Sequence, residues 1–188
     1  MKWILIRHGQ TQGNLERRYL GCHTDEPLCD QGVQFLKIAK YPRVSRVFIS
    51  PMLRCRQTAQ LLYPNLVPEV VEDFRECDFG TFENLCYEEL NGRADYQRWL
   101  DSGGEIAFPF GESRREFVAR CVRAFEKLLS LQPEQDCALI VHGGTIMAIM
   151  EAFALPKGSY FDFQVPCGAG YALDQTGSFS PLLLSPKA

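Results

Sequence analysis

Three short apolar runs constrain this chain more than any other feature: Trp3–Ile6, Val44–Ile49 and Cys137–Val141. Each reads as a strand buried on both faces, and such strands belong to parallel sheets covered by helices on either side. Helical patterns alternate with them. Pro51–Leu62 follows the second run, with Ser50 as the expected N-cap and Pro51 at the first helical position. In Ser113–Leu131, Phe117, Cys121, Phe125 and Leu128 join Val118, Val122 and Leu129 in one apolar stripe, opened by a capping box of Ser113 and Glu116. After the third run the pattern breaks at Gly143-Gly144, and Thr145–Leu155 reads as a buried helix. Gly170–Leu173 and Ser180–Leu184 predict edge strands. Strands alternating with helices imply an α/β fold, a three-layer α/β/α sandwich with a mostly parallel central sheet. With 188 residues and no internal repeat, low-complexity tract or linker, the chain reads as one domain over 1–188.

Between residues 78 and 110 the pattern weakens. Phe79, Phe82, Tyr87, Tyr96, Trp99, Phe108 and Phe110 fall in short helices and loops expected to lie over one end of the sheet. An aromatic cover of this kind is either a satellite core or a substrate pocket.

A net charge of -3 provides no electrostatic footprint for nucleic acid or a membrane surface. An anionic small substrate therefore needs a local basic pocket. The eight cysteines include no C-x-x-C pair, and only three histidines are present to complete a zinc site, so free thiols and no metal are expected. The sequence runs from Met1 into the first strand without a basic-plus-apolar segment, so no secretory leader is expected, and no apolar run has the length of a membrane span. A cytoplasmic chain, monomer or homodimer, is the expectation.

Two of the three histidines stand where chemistry is expected. His8 follows the first strand and His142 the third, each before a glycine, and open α/β sheets bind ligands outside those strand ends. Arg7 adjoins His8. Arg54 lies in the first helical turn after the second strand, where the helix dipole disfavours a cation. A bound anion removes that conflict, because the helix end and the guanidinium then face the same charge.

The segment Arg7-His8-Gly9-Gln10-Thr11-Gln12-Gly13-Asn14 resembles the signature of the histidine phosphatase superfamily, which includes phosphoglycerate mutases. The resemblance continues through Gly21, Pro27-Leu28, Ser50-Pro51-Met52-Leu53-Arg54-Cys55-Arg56-Gln57-Thr58-Ala59, Arg75-Glu76-Cys77-Asp78-Phe79-Gly80, Gly111-Glu112-Ser113 and His142-Gly143-Gly144. It implies a phosphoglycerate mutase-like fold with a substrate-covering insertion at about 78–110. It also implies a phosphohistidine intermediate on His8, with the other ring nitrogen held by the backbone near Gly9. Arg7, Arg54 and His142 are then the clamp on the phosphoryl oxygens, with Asn14, Gly21 and Gly143 as further phosphate or substrate contacts. Glu76 matches the proton donor to the leaving oxygen, with Asp78 as its competitor. Capping explains Glu112 and Ser113 without catalysis.

The resemblance implies a phosphatase of a small phosphomonoester working without a cofactor. The alternatives are a mutase returning the phosphoryl group to the substrate, a phosphatase of sugar phosphates or nucleotides, and a phosphate-binding module without catalysis. The short length leaves little room for the lid a mutase needs. The Tyr87-Glu88-Glu89-Leu90 and Asp95-Tyr96-Gln97-Arg98-Trp99 stretch is similar to the α-ribazole phosphatase branch, which acts in cobalamin synthesis on a benzimidazole riboside 5′-phosphate. There are departures from the common pattern: Gln10 stands where glutamate is frequent, Pro109-Phe110-Gly111 replaces Pro-Gly-Gly, and no arginine closely follows His142-Gly143-Gly144.

Overall fold

The computed structural model describes residues 1–182. The chain runs β1 (Lys2–Arg7), α1 (Gln12–Leu15), α2 (Asp30–Ile38), β2 (Arg46–Ile49), α3 (Leu53–Leu62), β3 (Glu69–Val70), α4 (Tyr87–Leu90), α5 (Ala94–Asp101), α6 (Arg114–Leu129), β4 (Cys137–Val141), α7 (Gly143–Phe153), β5 (Gly170–Asp174) and β6 (Phe179–Pro181). Short 3-10 turns occupy Glu72–Phe74, Gly80–Phe82 and Tyr160–Phe163.

The strands form one six-stranded sheet in the order β3-β2-β4-β1-β5-β6. β1, β2, β3 and β4 pair in parallel, whereas β5 and β6 add antiparallel pairings at one edge. The continuous apolar runs are explained by burial on both faces. Along β1, Trp3 and Leu5 enter one core with residues of α6 and α7, while Ile4 and Ile6 enter the other beside Cys55 and Ala59 of α3. β4 alternates in the same way, and its side chains are all buried. Each fully buried aliphatic side chain contributes about 1.5–3 kcal/mol, so the middle of the sheet is the most strongly fixed part of the fold.

The register places the functional end. Arg7 of β1 lies opposite Val141 of β4, and Ile49 of β2 opposite Ile140. His8, Ser50 and His142 therefore leave three neighbouring parallel strands at one edge. Among the described residues no helix is long and apolar enough to cross a membrane.

Some local expectations are corrected. Ser50 is not an N-cap: α3 begins at Leu53 after Met52, and the Ser50 hydroxyl is drawn to His142 instead. Gly143-Gly144 does not interrupt the chain but forms the first turn of α7. The helix α2 has no counterpart in the apolar pattern, because it buries only Gly32 and Leu36. The expected edge strand from Ser180 is observed as β6, ending at Pro181; residues 183 and 184 lie outside the described residues.

Candidate active site

His8 is buried at the end of β1, with its backbone N–H donating to Val141 O at 2.9 Å. Its Nδ1 lies 2.7 Å from Gly9 O. A carbonyl only accepts, so Nδ1 carries the proton and Nε2 presents a lone pair. Nε2 has no partner among the described residues, and the ring lines a pocket of ≈ 430 Å³. Burial first, then the charges of Arg54 and Arg7, hold His8 well below the ordinary imidazole pKa. The ring is neutral at pH 7, as a nucleophile must be.

His142 stands beside it as the N-cap residue of α7, with ring centroids 5.2 Å apart. Ser50 Oγ lies 2.7 Å from Nε2 of His142. With the Ser50 hydroxyl donating to Nε2, the proton of neutral His142 resides on Nδ1. Burial, followed by Arg54, His8 and Arg7, keeps this ring uncharged as well. The α7 N-terminus, with Gly143 and Gly144 in its first turn, adds backbone N–H groups at the same end of the sheet.

Arg54 is completely buried on α3. Its Nη1 donates to Thr24 O at 2.8 Å, and Nη2 to Leu20 O and Gly21 O at 3.3 and 3.2 Å. Arg7 Nη1 donates to Val165 O at 2.7 Å. Neither guanidinium has a carboxylate partner at ion-pair distance among the described residues. Arg7 Nε, Arg54 Nε and His142 Nδ1 are buried nitrogens without a partner there. A buried donor left unpaired costs about 1–3 kcal/mol, and a phosphoryl group has the acceptors and charge that such a trio matches.

Glu76 closes the cluster. Its Oε1 accepts the N–H of Cys77 at 2.9 Å and lies against α7, where a Cβ on Gly144 would come within 2.8 Å of it. Glycine is thus required at 144 for the carboxyl to sit there. Burial raises the pKa of Glu76, partly opposed by the Cys77 N–H and by Arg54, Arg7 and Arg120. Asp78, the competing acid, instead bonds His23 at 3.1 Å and Gly80 N at 2.9 Å and is absent from the pocket lining.

Arg120 holds the segment that carries Glu76. It donates to the carbonyls of Asp73, Arg75 and Glu76 at 2.7, 2.7 and 3.0 Å, while Glu112 grips it at 2.7 and 2.9 Å. Glu112 is therefore the counter-ion of Arg120 rather than a capping residue; Ser113 caps α6 in a box with Glu116. Asn14 lines the pocket, with Oδ1 tied to Thr11 and its amide nitrogen unused among the described residues. Gly21 lies behind Arg54 as a carbonyl acceptor, and Gly143 lies alongside Arg7.

The pocket walls draw on the aromatic cover expected at 78–110 and add Tyr19, Arg114, Tyr160 and Phe161, which sequence reasoning left without a role. Tyr19, Phe79, Trp99 and Phe108 form an aromatic side, and Arg114, Tyr160 and Phe161 face it. Within the aromatic stretch, Phe82 and Tyr96 are core while Phe110 is almost fully exposed. Thr58 was visible only as a motif letter, and Ser50 was read as an N-cap rather than as the partner of His142. For a metal, Cys22, His23 and Asp78 are the described residues with donor atoms within 4.8 Å of one another. They lie outside the pocket lining, and the His23–Asp78 hydrogen bond already accounts for two of them.

A family model described as the histidine phosphatase superfamily (branch 1) matches residues 3–180. The adenosylcobalamin/alpha-ribazole phosphatase of Salmonella typhimurium is 26% identical over 191 residues, covering 97% of this chain and 94% of that protein. The broad-specificity phosphatase YOR283W of Saccharomyces cerevisiae is 30% identical over 166 residues, 80% of this chain and 69% of that one. The crystal structure of a phosphoglycerate mutase from Thermus thermophilus superposes with a TM-score of 0.76 at 31% identity, covering 98% of this chain and 100% of that one.

Proposed function

Because the chain belongs to the histidine phosphatase superfamily, we propose that it hydrolyses small phosphomonoesters through a phosphohistidine on His8. The observation that carries this reading is the 2.7 Å bond from His8 Nδ1 to Gly9 O, which directs an unprotonated Nε2 into a pocket shared with Glu76. In the first step Nε2 attacks phosphorus as the ester P–O bond breaks, and protonated Glu76 gives its proton to the departing alkoxide. In the second, the Glu76 carboxylate takes a proton from water as that oxygen attacks phosphorus and the P–N bond breaks. Arg7, Arg54, His142 and the α7 N–H groups neutralise the phosphoryl oxygens in both steps; Asn14 supplies a further donor.

We assign the covering role to residues 78–110, since Phe79, Trp99, Gly104 and Phe108 contribute to the pocket wall. The aromatic side, in which Trp99 and Phe108 stack and the other rings meet them edge-on, suits a planar base on the leaving alcohol. Together with the named activity of the Salmonella relative, it supports α-ribazole 5′-phosphate as the substrate, and with it a place in cobalamin synthesis. Eight free thiols suit a reducing, cytoplasmic setting.

The test is a kcat/KM comparison over α-ribazole 5′-phosphate, nucleoside 5′-phosphates, sugar phosphates and 3-phosphoglycerate. The proposal expects the riboside to lead by at least about tenfold, a difference of about 1.4 kcal/mol in transition-state binding. A flat ranking would remove the substrate assignment but leave the phosphatase. Conversion of 3- to 2-phosphoglycerate ahead of free phosphate would favour the mutase.

A further inference from the structure

Three side chains of mixed chemistry converge from two distant parts of the chain. The Cys22 thiol, a His23 ring nitrogen and an Asp78 carboxylate oxygen all lie within 4.8 Å of one another. Each is held from behind. Cys22 N–H donates to Cys77 O at 3.1 Å, and His23 N–H to Glu83 Oε1 at 3.0 Å. Asp78 Oδ1 accepts the Gly80 N–H at 2.9 Å, which leaves Oδ2 for His23 Nε2 at 3.1 Å. Gly21 permits the close approach, since a Cβ there would collide with Cys77 O and Glu83 Oε2.

The His23–Asp78 hydrogen bond explains that pair but not the thiol beside it. Nor does it explain Glu83, whose Oε2 is buried next to Gly21 without a partner among the described residues. Neither Asp78 nor Glu83 has a lysine or arginine at ion-pair distance there. Carboxylates withdrawn from water in this way are stabilised by a bound cation. The donor types select it: thiolate, imidazole and carboxylate together suit Zn²⁺, whereas Mg²⁺ and Ca²⁺ take oxygen donors. Tetrahedral Zn²⁺ sets such donors about 3.3–3.6 Å apart. His23 and Asp78 are already near that spacing, and the His23 side chain, 67% exposed, is free to turn toward an ion. Cys22 and Asp78 also line a separate surface cavity of ≈ 630 Å³, which provides the way in.

We propose that Cys22, His23 and Asp78 bind one Zn²⁺ ion, with water in the fourth position, as a clamp between two segments that build the active site. The carbonyls of Leu20, Gly21 and Thr24, on either side of Cys22 and His23, hold Arg54, and Asp78 follows Glu76 by two residues. As the ion binds, the Cys22 thiol releases its proton to solvent and a Zn–S bond forms. The His23 ring proton moves to Nδ1, and the bond from Nε2–H to Asp78 is exchanged for two metal bonds. These donors lie outside the catalytic pocket lining, so the ion is structural and the site stands whether or not the chain is a phosphatase.

The full chain, stripped with a chelator, would be titrated with Zn²⁺ by calorimetry and with Co²⁺ as a spectroscopic substitute. His23→Gln and Cys22→Ser are the variants; neither side chain is buried, so both should fold. The native protein should take up one ion tightly, melt at a higher temperature with Zn²⁺, and give a tetrahedral Co²⁺ spectrum with a thiolate charge-transfer band. Either variant should lose that band and the thermal shift, with Kd for Zn²⁺ rising at least about 100-fold, the upper end of what losing a mere supporting partner costs. Absence of a tight ion in the native protein, or a charge-transfer band that survives unchanged in His23→Gln because the ion sits on other thiols, would overturn the site. Turnover of p-nitrophenyl phosphate should be the same with and without one equivalent of Zn²⁺. Turnover only with the ion bound would overturn the structural role in favour of a catalytic one.

Discussion

Thr58 Oγ1 accepts the backbone N–H of Gly9 at 2.9 Å and donates its own proton to Arg54 O at 2.7 Å. Gly9 is the residue whose carbonyl fixes the His8 ring, so Thr58 ties the nucleophile to the helix that carries Arg54. Thr58→Val keeps the shape and removes the hydroxyl. It leaves the buried Gly9 N–H unpaired, costing about 1–3 kcal/mol. Urea unfolding should report that loss. The kcat should fall about tenfold with KM little changed, because orientation and not binding is loosened. Wild-type kcat in the variant would remove Thr58 as a positioning residue.

Glu76 must be protonated to serve the leaving alcohol. Its raised pKa means that kcat/KM falls as pH rises through it, while the acid limb follows protonation of His8. Glu76→Gln should abolish the alkaline limb and lower rates on alkyl phosphates by about 10²–10⁴-fold, with a far smaller loss on p-nitrophenyl phosphate. An alkaline limb that survives the substitution would assign it to another group.

The two buried imidazoles also predict a stability profile. Unfolding frees His8 and His142 to protonate near 6.5, whereas the folded protein holds both neutral to lower pH. Below about pH 6.5 the unfolded state therefore binds more protons, and stability declines by up to about 1.4 kcal/mol per pH unit for each ring. Above that range both states are neutral and the slope disappears. Glu76 acts oppositely, losing stability as pH rises from its unfolded value through its raised folded one. His142→Gln should make the acid slope in denaturant midpoints shallower; an unchanged slope would mean His142 is not held neutral.

Arg120→Lys retains the charge but not the planar fork that grips Glu112 and three carbonyls. It should destabilise the fold by about 2–4 kcal/mol and lower kcat while leaving KM for phosphate esters near native. A loss confined to stability would make the pair purely structural.

How much of this was legible in the sequence depends on where each signal is written. The β1 and β4 runs, burying both faces, announce the sheet almost to the residue, and His8 and His142 are readable because they follow directly in the chain. The capping box at Ser113 is equally local. Ser50 misleads because Ser-Pro is a good local cap signal, yet the bond to His142 crosses 92 positions and wins. Helix α2 is hidden because Gly32, packed against the Gln10 backbone, leaves only Leu36 as a buried side chain. Gly21 and Arg120 act by bonding to or through backbone carbonyls far along the chain, contacts that residue spacing does not encode.

The central claim is the phosphohistidine on His8. Rapid quenching of the enzyme with a ³²P-phosphomonoester should trap label that is acid-labile and base-stable, located at His8. His8→Ala should carry no such label and lose turnover by at least about 10³-fold. Label on another residue, or near-native turnover in His8→Ala, would contradict the account.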